Sequence, residues 1–415
     1  MAGREQVGPE RIAAARGVVA ETCARTPTLR LGGIDELLGG PVALKAENLQ
    51  QTGSFKARGV SVKLDALGDR CEAGVVAGTA GNHGRALAWA ARRRGVRCEL
   101  FVPEDAAISK TEPAARLGAQ VERCEGNVDE CVALAQGRAK EGGLAFVHPF
   151  DDPDVIAGQG SIGLELLEEV PELSRVLVPL GGGGLAGGIA VAIKSERPEV
   201  EVIGVQVEAC PSYPRSLEAG EPVAVDAAVT VADGIAVKRP GELTMPLVER
   251  WLDEVVVVGE DEVGDAMAEL LAEAKQVVEG AGAVGIAALA SGRAKLAGSG
   301  TTAVVISGGN IDETVLAAIS RRSGTRHGRG AVLFTTIADR PGSLAQLLEA
   351  VGGTGASVVD VQHVRDAVDL HVAETGVELI LETRDREHTA EIVAELRERG
   401  YRVDQQHPVE ERSEG

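Results

Sequence analysis

The chain has 415 residues, with 42 Lys and Arg against 63 Asp and Glu, which gives a formal net charge of −21. The acidic balance and the lack of clustered basic residues argue against nucleic-acid binding. No run of about 20 apolar residues occurs, which excludes a membrane-spanning helix, and the first ten residues lack an apolar signal core. We therefore expect a cytoplasmic protein whose six cysteines, none in a CxxC pair, are free thiols.

From about residue 10 to residue 320, short apolar runs alternate with Ala/Leu-rich helical stretches. The runs lie at 42–46, 74–77, 99–102, 175–180, 202–207 and 303–306. Continuous apolar strands separated by helices are typical of parallel sheets that are covered on both faces, so the pattern predicts an α/β fold. Several strands run directly into Gly-rich turns, and ligands collect at the carboxyl ends of strands in such sheets.

The first candidate for chemistry is Lys56, in the segment ENLQQTGSFKARGV at 47–60. Its neighbours Gly53, Phe55 and Gly59 are small or apolar. A lysine in such surroundings can have a lowered pKa and act as a Schiff-base nucleophile. The alternative is a solvated lysine at the start of a helix.

The second candidate is the glycine-rich turn at 181–188, which follows a predicted strand and begins a helix. Gly182, Gly184 and Gly187 fit the dinucleotide-binding fingerprint, and Glu208 lies where a ribose-binding acid would follow. Unshielded N–H groups at a helix N-terminus bind any phosphate, including the single phosphate of pyridoxal phosphate. A close-packed turn without a ligand is the third interpretation.

The segment RRSGTRHGRG at 321–330 is basic, rich in glycine and without apolar periodicity, so we interpret it as a linker. Beyond it, residues 331–415 predict a small domain of strands and helices. The expected order is strand 331–337, helix 344–351, strands 357–364 and 374–383, helix 389–399 and a last strand from 401. This β-α-β-β-α-β order is the ferredoxin-like arrangement.

Six ordered motifs within residues 10–320 carry a resemblance to a known family: SFKARG, TAGNHGRALA, HPFDDPDVIAGQGSIGLE, PLGGGGLAGG, ADGIAVKRPG and SGGNID. Together they resemble the threonine/serine dehydratases, which belong to the tryptophan-synthase-β-like (type II) pyridoxal-phosphate enzymes. The resemblance implies a two-subdomain catalytic domain at 1–320, with a smaller subdomain inserted at about 48–154. It also favours pyridoxal phosphate over NAD, since the NAD interpretation explains only the turn at 181–188.

The resemblance implies a role for each matching residue. Lys56 would form the Schiff base and act as the base that removes the Cα proton. The expected cofactor-binding residues are Phe55, Lys56, Asn82, Gly181, Gly182, Gly183, Gly184, Leu185, Glu279 and Ser307. The expected substrate-binding residues are Thr79, Ala80, Gly81, Asn82 and His83. His83 and Glu279 have structural alternatives, as a buried hydrogen-bonding residue and a helix-start acid.

The activity implied is the deamination of L-threonine to 2-oxobutanoate and ammonia, and of L-serine to pyruvate, by elimination of water. A serine-preferring dehydratase or racemase and a non-catalytic amino-acid sensor are the alternatives. Ala80 stands where racemases of this fold carry a serine, so we expect little racemisation. Some relatives bind a cation; here Glu208 has no second nearby carboxylate, and we expect no metal.

The C-terminal motif DRPGSL at 339–344 resembles that of ACT domains, modules that bind amino-acid effectors. The residues expected to bind an effector are Asp339, Gly342, Ser343 and Leu344, in a strand-to-helix turn with free N–H groups. Isoleucine or valine is the effector implied, and a purely structural pairing module is the alternative. We further expect a homo-oligomer, a dimer or tetramer, that has no nucleic-acid or membrane partner.

Overall fold

The computed structural model of the chain describes residues 7–79, 81–364 and 373–405, apart from the side chain of Val364. The chain divides into two compact units, Met1–Asp312 and Glu313–Gly415. Within the described residues, no helix combines the length and the apolar character that crossing a membrane requires.

The first unit contains helices between its strands, as the alternating sequence pattern predicts. Its helices are α1 (Pro9–Thr22), α2 (Gly32–Leu38), α3 (Lys56–Leu67), α4 (Asn82–Arg94), α5 (Ile108–Arg116), α6 (Val128–Gly142), α7 (Pro153–Glu169), α8 (Gly184–Glu196), α9 (Ser212–Ala219), α10 (Thr244–Trp251), α11 (Glu260–Glu273) and α12 (Gly280–Ala290). Its strands are β1 (Thr28–Arg30), β2 (Val42–Ala46), β3 (Val75–Gly78), β4 (Cys98–Pro103), β5 (Gln120–Cys124), β6 (Ala145–Phe146), β7 (Leu173–Pro179), β8 (Glu201–Val207), β9 (Glu254–Val258) and β10 (Thr301–Ile306).

The larger sheet has the strand order β1-β2-β10-β7-β8-β9, and every pair is parallel except β1 with β2. β2 and β10 are buried along their whole length. Helices on both faces account for this burial, because each side of a parallel strand then packs against apolar side chains. The predicted α/β fold is confirmed in this unit.

The smaller sheet has the order β5-β4-β3-β6 and is entirely parallel. Its strands fall within the insertion predicted at about 48–154. β4 is buried throughout, whereas the edge strand β5 is largely solvent-exposed. Its sequence, QVERC, is accordingly polar and lacks the apolar run that predicts a strand.

Glycines allow the helices α3, α7 and α8 to approach closely. A Cβ atom on Gly158 of α7 would lie 2.6 Å from the Cα of Gly59 in α3. A Cβ on Gly188 of α8 would lie 2.5 Å from the carbonyl oxygen of Ile156 in α7. The glycine-rich composition therefore has a packing role in addition to its role in turns.

The second unit consists of α13 (Glu313–Arg326), β11 (Gly330–Ala338), α14 (Ser343–Gly353), β12 (Ser357–Val364), β13 (Glu374–Glu382), α15 (Arg386–Glu398) and β14 (Val403–Gln405). Its antiparallel sheet has the order β12-β13-β11-β14. From β11 onwards, the order of strands and helices agrees with the sequence-based expectation. Leu333, Leu347, Leu379 and Ile392 belong to its buried core.

The expected linker at 321–330 is wrong over its first six residues, which belong to α13. This helix packs against β11, and Ser323 on it is 2% exposed. The helix end is closed by hydrogen bonds from His327 N–H to Ser323 O, at 3.0 Å, and from Arg329 N–H to Gly324 O, at 2.8 Å. Tertiary packing therefore outweighs the weak helical signal of this basic, glycine-containing segment.

Candidate active site

A cavity of about 480 Å³ lies in the first unit, where the carboxyl ends of several parallel strands converge. Three segments of its wall follow β3, β7 and β10, and a fourth is the start of α3. The start of α3 is joined to the end of β10, because Phe55 N–H donates to Ser307 O at 3.0 Å. The topology therefore brings residues from distant parts of the sequence into one site.

The structure brings together the residues that the sequence analysis assigned to this site. The residues lining the cavity include Phe55, Lys56, Thr79, Gly81, Asn82, His83, Gly181, Gly182, Gly183, Gly184, Leu185, Glu279 and Ser307. Ala80, the remaining expected substrate contact, lies outside the described residues.

Lys56 is the first residue of α3, and its side chain is partly buried in the cavity wall. Its Nζ donates to the carbonyl oxygen of Pro149 at 2.7 Å and lies 5.1 Å from the centre of the Phe55 ring. Burial lowers the pKa of Lys56 to about 8, against the opposing effect of the Glu279 carboxylate. A lysine with this pKa is partly neutral near physiological pH, as a nucleophile or base must be.

The glycine-rich turn forms a second wall of the cavity, where β7 leads into α8. The first hydrogen bond of α8 runs from Gly187 N–H to Gly183 O at 2.8 Å, so the preceding N–H groups have no partner within the helix. Gly183 has a φ of +90°, a conformation that favours glycine. A Cβ on Gly184 would lie 2.8 Å from Phe150 O, so packing also requires a glycine there.

These features fit pyridoxal phosphate. Free N–H groups at a helix N-terminus bind a phosphate monoester, and a buried lysine with a lowered pKa is suited to react with an aldehyde. Lys56 and the turn at 181–184 line the same cavity, and its volume lies within the range of small-molecule sites. Ser307, which is 2% exposed, adds a hydroxyl group at the end of β10.

Asn82 is held by a hydrogen-bond network that the sequence did not reveal. Its Nδ2 donates to both carboxylate oxygens of Glu279, at 2.8 and 3.0 Å. Its Oδ1 accepts from Nδ2 of Asn310 at 2.7 Å, and Arg85 Nη1 donates to Asn310 Oδ1 at 2.5 Å. Burial raises the pKa of Glu279 to about 7, although its hydrogen bond from Asn82 opposes the shift. The network fixes the amide of Asn82 at the cavity wall.

His83 is a buried, neutral histidine. Its Nε2 lies 3.0 Å from the carbonyl oxygen of Val147, so Nε2–H donates to that oxygen. Its Nδ1 has no hydrogen-bond partner among the described residues. Burial lowers the pKa of His83 to about 3, and the nearby charge of Lys56 contributes in the same direction. At neutral pH the ring therefore carries an acceptor atom and no charge.

Sequence reasoning missed several groups of this site. Asn310 and Arg85 lie inside the motifs SGGNID and TAGNHGRALA, so their place in those motifs was the available signal. Lys110 on α5 forms an ion pair with Asp233, and both residues line the cavity. The oxygen of Pro149 is a backbone atom, and no side-chain pattern identifies it.

Glu208 is the residue that stands where some relatives bind a cation. It follows β8, and its backbone N–H donates to Val258 O at 2.9 Å. Residues 7–79, 81–364 and 373–405 contain no group of three or more His, Cys, Asp and Glu side chains arranged to hold a metal ion.

In the second unit, the turn expected to bind an effector connects β11 with α14 and contains Asp339, Gly342, Ser343 and Leu344. The expectation of free N–H groups is wrong at two of these residues. Asp339 N–H donates to Ala373 O at 2.8 Å, and Ser343 N–H donates to Arg340 O at 3.3 Å. Gly342, with a φ of +91°, precedes the helix. The returning chain at residue 373 occupies one donor, and the tight turn occupies the other.

Comparison with known proteins places residues 19–308 in the family described as pyridoxal-phosphate dependent enzymes. The chain is 45% identical over 397 residues to an L-threonine ammonia-lyase of Thermotoga maritima, and the match covers 95% of this chain and 98% of that protein.

Solved structures share the fold of the first unit. A T.th. threonine deaminase matches with a TM-score of 0.70 and 40% identity, over 74% of this chain and 99% of that one. Maize serine racemase matches with a TM-score of 0.72 and 32% identity, over 77% of this chain and 99% of that one. The predicted type II catalytic fold is thereby confirmed.

Proposed function

The chain belongs to the family of pyridoxal-phosphate dependent enzymes, and on that premise we propose that it deaminates L-threonine to 2-oxobutanoate and ammonia, and L-serine to pyruvate. The observation that carries the proposal is the pairing of Lys56 with the turn at 181–184 across one cavity. Lys56 supplies an amine of lowered pKa, and the turn at 181–184 presents N–H groups suited to a phosphate.

The residues that would hold the cofactor are Lys56, through its Nζ, and the N–H groups of the glycine-rich turn. Ser307 would face the ring nitrogen, as the family resemblance implies. When bound, the cofactor supplies an electron sink that makes the substrate Cα–H bond acidic. A hydroxyl at Ser307 cannot hold a ring proton as a carboxylate would, which favours elimination over reactions that need a long-lived carbanion.

Lys56 is the residue that moves protons. With a pKa of about 8, about a tenth of its amine is neutral at pH 7 and about half at pH 8. Its neutral Nζ accepts the proton from the substrate Cα and becomes an ammonium. Pro149 O, at 2.7 Å, orients that Nζ without neutralising its charge.

The loop at 79–83 would bind the substrate carboxylate. Thr79, Gly81 and His83 line the cavity there, and Gly81 N–H donates to Thr79 Oγ1 at 3.2 Å. Because His83 is neutral and its Nε2–H donates to Val147 O, its free Nδ1 can only accept a hydrogen bond from a donor group of the substrate, and it supplies no proton at neutral pH. The loop therefore binds and orients, while the proton transfer is left to Lys56.

The overall reaction balances without a redox partner. Elimination removes the Cα proton and the β-hydroxyl of L-threonine as one water molecule. Hydrolysis of the resulting enamine or imine consumes one water molecule and releases ammonia. The products are one 2-oxobutanoate and one ammonia, and the site needs no oxidant or reductant.

The test is the kcat/KM of the holoenzyme for L-threonine and for L-serine, measured as keto-acid release. We expect turnover of both, since a single methyl group discriminates by only about 10- to 200-fold. Keto-acid release from neither substrate, with the cofactor bound, would exclude the proposed reaction.

Serine racemisation is a second candidate, because maize serine racemase shares the fold. A racemase needs a second proton donor on the substrate face opposite Lys56. The family resemblance implies that Ala80 replaces the serine that racemases use for this purpose, and its methyl group cannot donate a proton. We therefore propose that elimination dominates. Chiral chromatography should find little D-serine formed from L-serine, and accumulation of D-serine at the rate of pyruvate would reverse this ranking.

We propose that the second unit is an ACT domain that binds an amino-acid effector, isoleucine or valine, and that the enzyme is an oligomer. The β-α-β-β-α-β order and the DRPGSL motif support this assignment. Isoleucine should lower kcat/KM for L-threonine in the full chain. If neither isoleucine nor valine changes kcat/KM, the effector role is excluded.

A further inference from the structure

Two cysteines in the smaller sheet region lie almost within bonding distance of each other. Cys124 is the last residue of β5, and Cys131 lies in the first turns of α6. Their Sγ atoms are 2.6 Å apart, compared with about 2.05 Å in a disulfide. Bond formation therefore requires only a small movement of the two side chains.

Local structure holds this arrangement in place. Asn127, the last of the three residues between β5 and α6, begins a capping box in which its Oδ1 accepts from Glu130 N–H at 3.4 Å. In return, Glu130 Oε2 accepts from Asn127 N–H at 2.6 Å. Gly126, with a φ of +97°, makes the turn. The start of α6 is thus fixed relative to the end of β5, so little chain entropy opposes closure of this short loop.

The two thiols differ in access to solvent. Cys124 is partly exposed, whereas Cys131 is fully buried in an apolar cluster with Val76, Phe101 and Ala135. Cys124 is therefore the thiol that an external oxidant can reach, and Cys131 is positioned to attack only what is bound to Cys124. This division of roles is typical of a reactive cysteine with a resolving partner.

The pair is connected to the active-site cavity through α6. Asn127, Val128, Asp129 and Val132 line that cavity, whereas neither cysteine does. The backbone of α6 also abuts Gly78, where a Cβ would lie 2.5 Å from Cys131 O. Gly78 directly precedes Thr79, one of the residues expected to bind the substrate. A bond between the two sulfurs would therefore restrain the part of the cavity wall that is formed by the start of α6. This part of the wall is separate from Lys56 and from the glycine-rich turn.

We propose that Cys124 and Cys131 form a reversible disulfide by exchange with a low-molecular-weight disulfide, and that this bond alters substrate binding through the start of α6. Cys124 as a thiolate attacks the small disulfide and releases one small thiolate. Cys131, on losing its proton, attacks Cys124 Sγ in the mixed disulfide and releases the second. Two protein thiols are oxidised, one small disulfide is reduced to two thiols, and the two protons pass to the leaving thiolates.

The experiment treats the holoenzyme with oxidised glutathione, blocks remaining thiols by alkylation, and maps the peptides by mass spectrometry. The wild type and the control variant Cys23→Ser should both yield a peptide linked through 124 and 131. Cys124→Ser and Cys131→Ala should not. Cys23 is a fair control because it too is partly exposed in the first unit. Absence of the 124–131 link in the wild type, or linkage mainly through other cysteines, would overturn the proposal.

The kinetic arm rests on the proposed function, whereas the peptide map does not depend on activity. Oxidation should change the KM for L-threonine by about fivefold or more in the wild type, with reversal by dithiothreitol. The kcat should change far less, because Lys56 and the glycine-rich turn lie apart from the two cysteines. Cys124→Ser, which alters a partly exposed side chain, should keep the same KM under both conditions. An unchanged KM in protein that carries the mapped disulfide would overturn the link to substrate binding.

Discussion

Two cations begin the same helix and face opposite regions of the molecule. Lys56 lines the active-site cavity, whereas Arg58, two residues later, points away from it. Arg58 belongs to a charge cluster that we define as Lys45, Glu47, Arg58, Glu165 and Glu169. Both side chains lose hydration, yet their surroundings compensate for this loss in different ways.

Arg58 is 0% exposed and is held on both sides by carboxylates. Its Nε and Nη2 donate to Glu47 at 2.8 and 2.7 Å, and its Nη1 and Nη2 donate to Glu165 at 2.6 and 2.9 Å. Burial alone would lower the pKa of Arg58, but Glu47 and Glu165 outweigh burial and raise it. This cation is a permanent charge that fixes α3 to the turn after β2 and to α7.

Lys56 donates instead to the neutral carbonyl of Pro149, and burial lowers its pKa to about 8. One helix therefore serves two purposes. Full compensation makes the charge at Arg58 structural, and incomplete compensation makes the amine at Lys56 chemically available. Four predictions test how burial and pairing act on charged groups around this cavity, and the expected effects decrease from the first to the last.

Lys56→Ala should abolish keto-acid release, with a loss of at least about 10³-fold, since nucleophile and base are removed together. The visible absorbance of the bound cofactor should disappear as well. Lys63→Ala is the matched control: Lys63 lies on the same helix but pairs with Asp152 at 2.6 Å. Turnover by Lys56→Ala near the wild-type rate would remove Lys56 from the mechanism.

Arg58→Met should destabilise the protein by about 3–5 kcal/mol, because Glu47 and Glu165 would stay buried without this partner. Lys56→Met should cost far less, since it removes a buried amine that donates to a neutral carbonyl. Urea unfolding of both cofactor-free variants measures the difference without the stabilising effect of a ligand. Equal losses in the two variants would contradict the proposed contrast.

The Glu279 carboxyl should make stability depend on pH. Its pKa is raised from 4.5 to about 7, so between these two values the folded state keeps a proton that the unfolded state releases. Stability therefore falls as pH rises through this window, by at most about 1.4 kcal/mol per pH unit.

Glu279→Gln should remove that contribution while keeping a polar side chain. The stability of the variant relative to the wild type should increase from about pH 4.5 to about pH 7 and then level off. Urea unfolding at several pH values in this range checks the slope. A constant difference between the two proteins would mean that Glu279 is already ionised at the acidic end of the window.

Lys110→Ala should have the smallest effect, at most about 1 kcal/mol on stability. The Lys110 and Asp233 side chains are 40% and 54% exposed, so solvent and salt screen their attraction. Urea unfolding at low and high salt should show that the loss shrinks as salt increases. A loss of stability as large as that of Arg58→Met would mean that solvent exposure does not explain the difference between the Lys110–Asp233 pair and the buried pairs of Arg58.

Much of the fold could be predicted from local patterns. The apolar runs at 42–46, 202–207 and 303–306 all lie in strands, since buried parallel strands need continuous apolar residues. The polar edge strand β5 lacks that pattern, and α13 is stabilised by packing on β11 instead of by its own composition. Both errors arise because tertiary context overrides local preference.

The residues of the site likewise fall into those that the sequence predicts and those that depend on long-range contacts. Lys56 and the turn at 181–184 could be identified because they lie in the ordered motifs SFKARG and PLGGGGLAGG; the small and apolar neighbours of Lys56 alone left a solvated lysine open. Arg58 has no local signature, because its partners Glu47 and Glu165 are 11 and 107 residues away. Asn310 is 228 residues from Asn82, and the sulfur contact of Cys124 with Cys131 depends on where α6 begins. Long-range contacts of this kind require the folded structure.

The central claim, that Lys56 holds the cofactor, is tested most directly by the position at which the cofactor is attached. The holoenzyme should be reduced with borohydride, digested, and mapped by mass spectrometry. We predict one pyridoxyl-phosphate adduct, on the peptide containing Lys56, and none on peptides containing Lys45, Lys63 or Lys110. An adduct on one of those three lysines, or no adduct on Lys56, would contradict the claim.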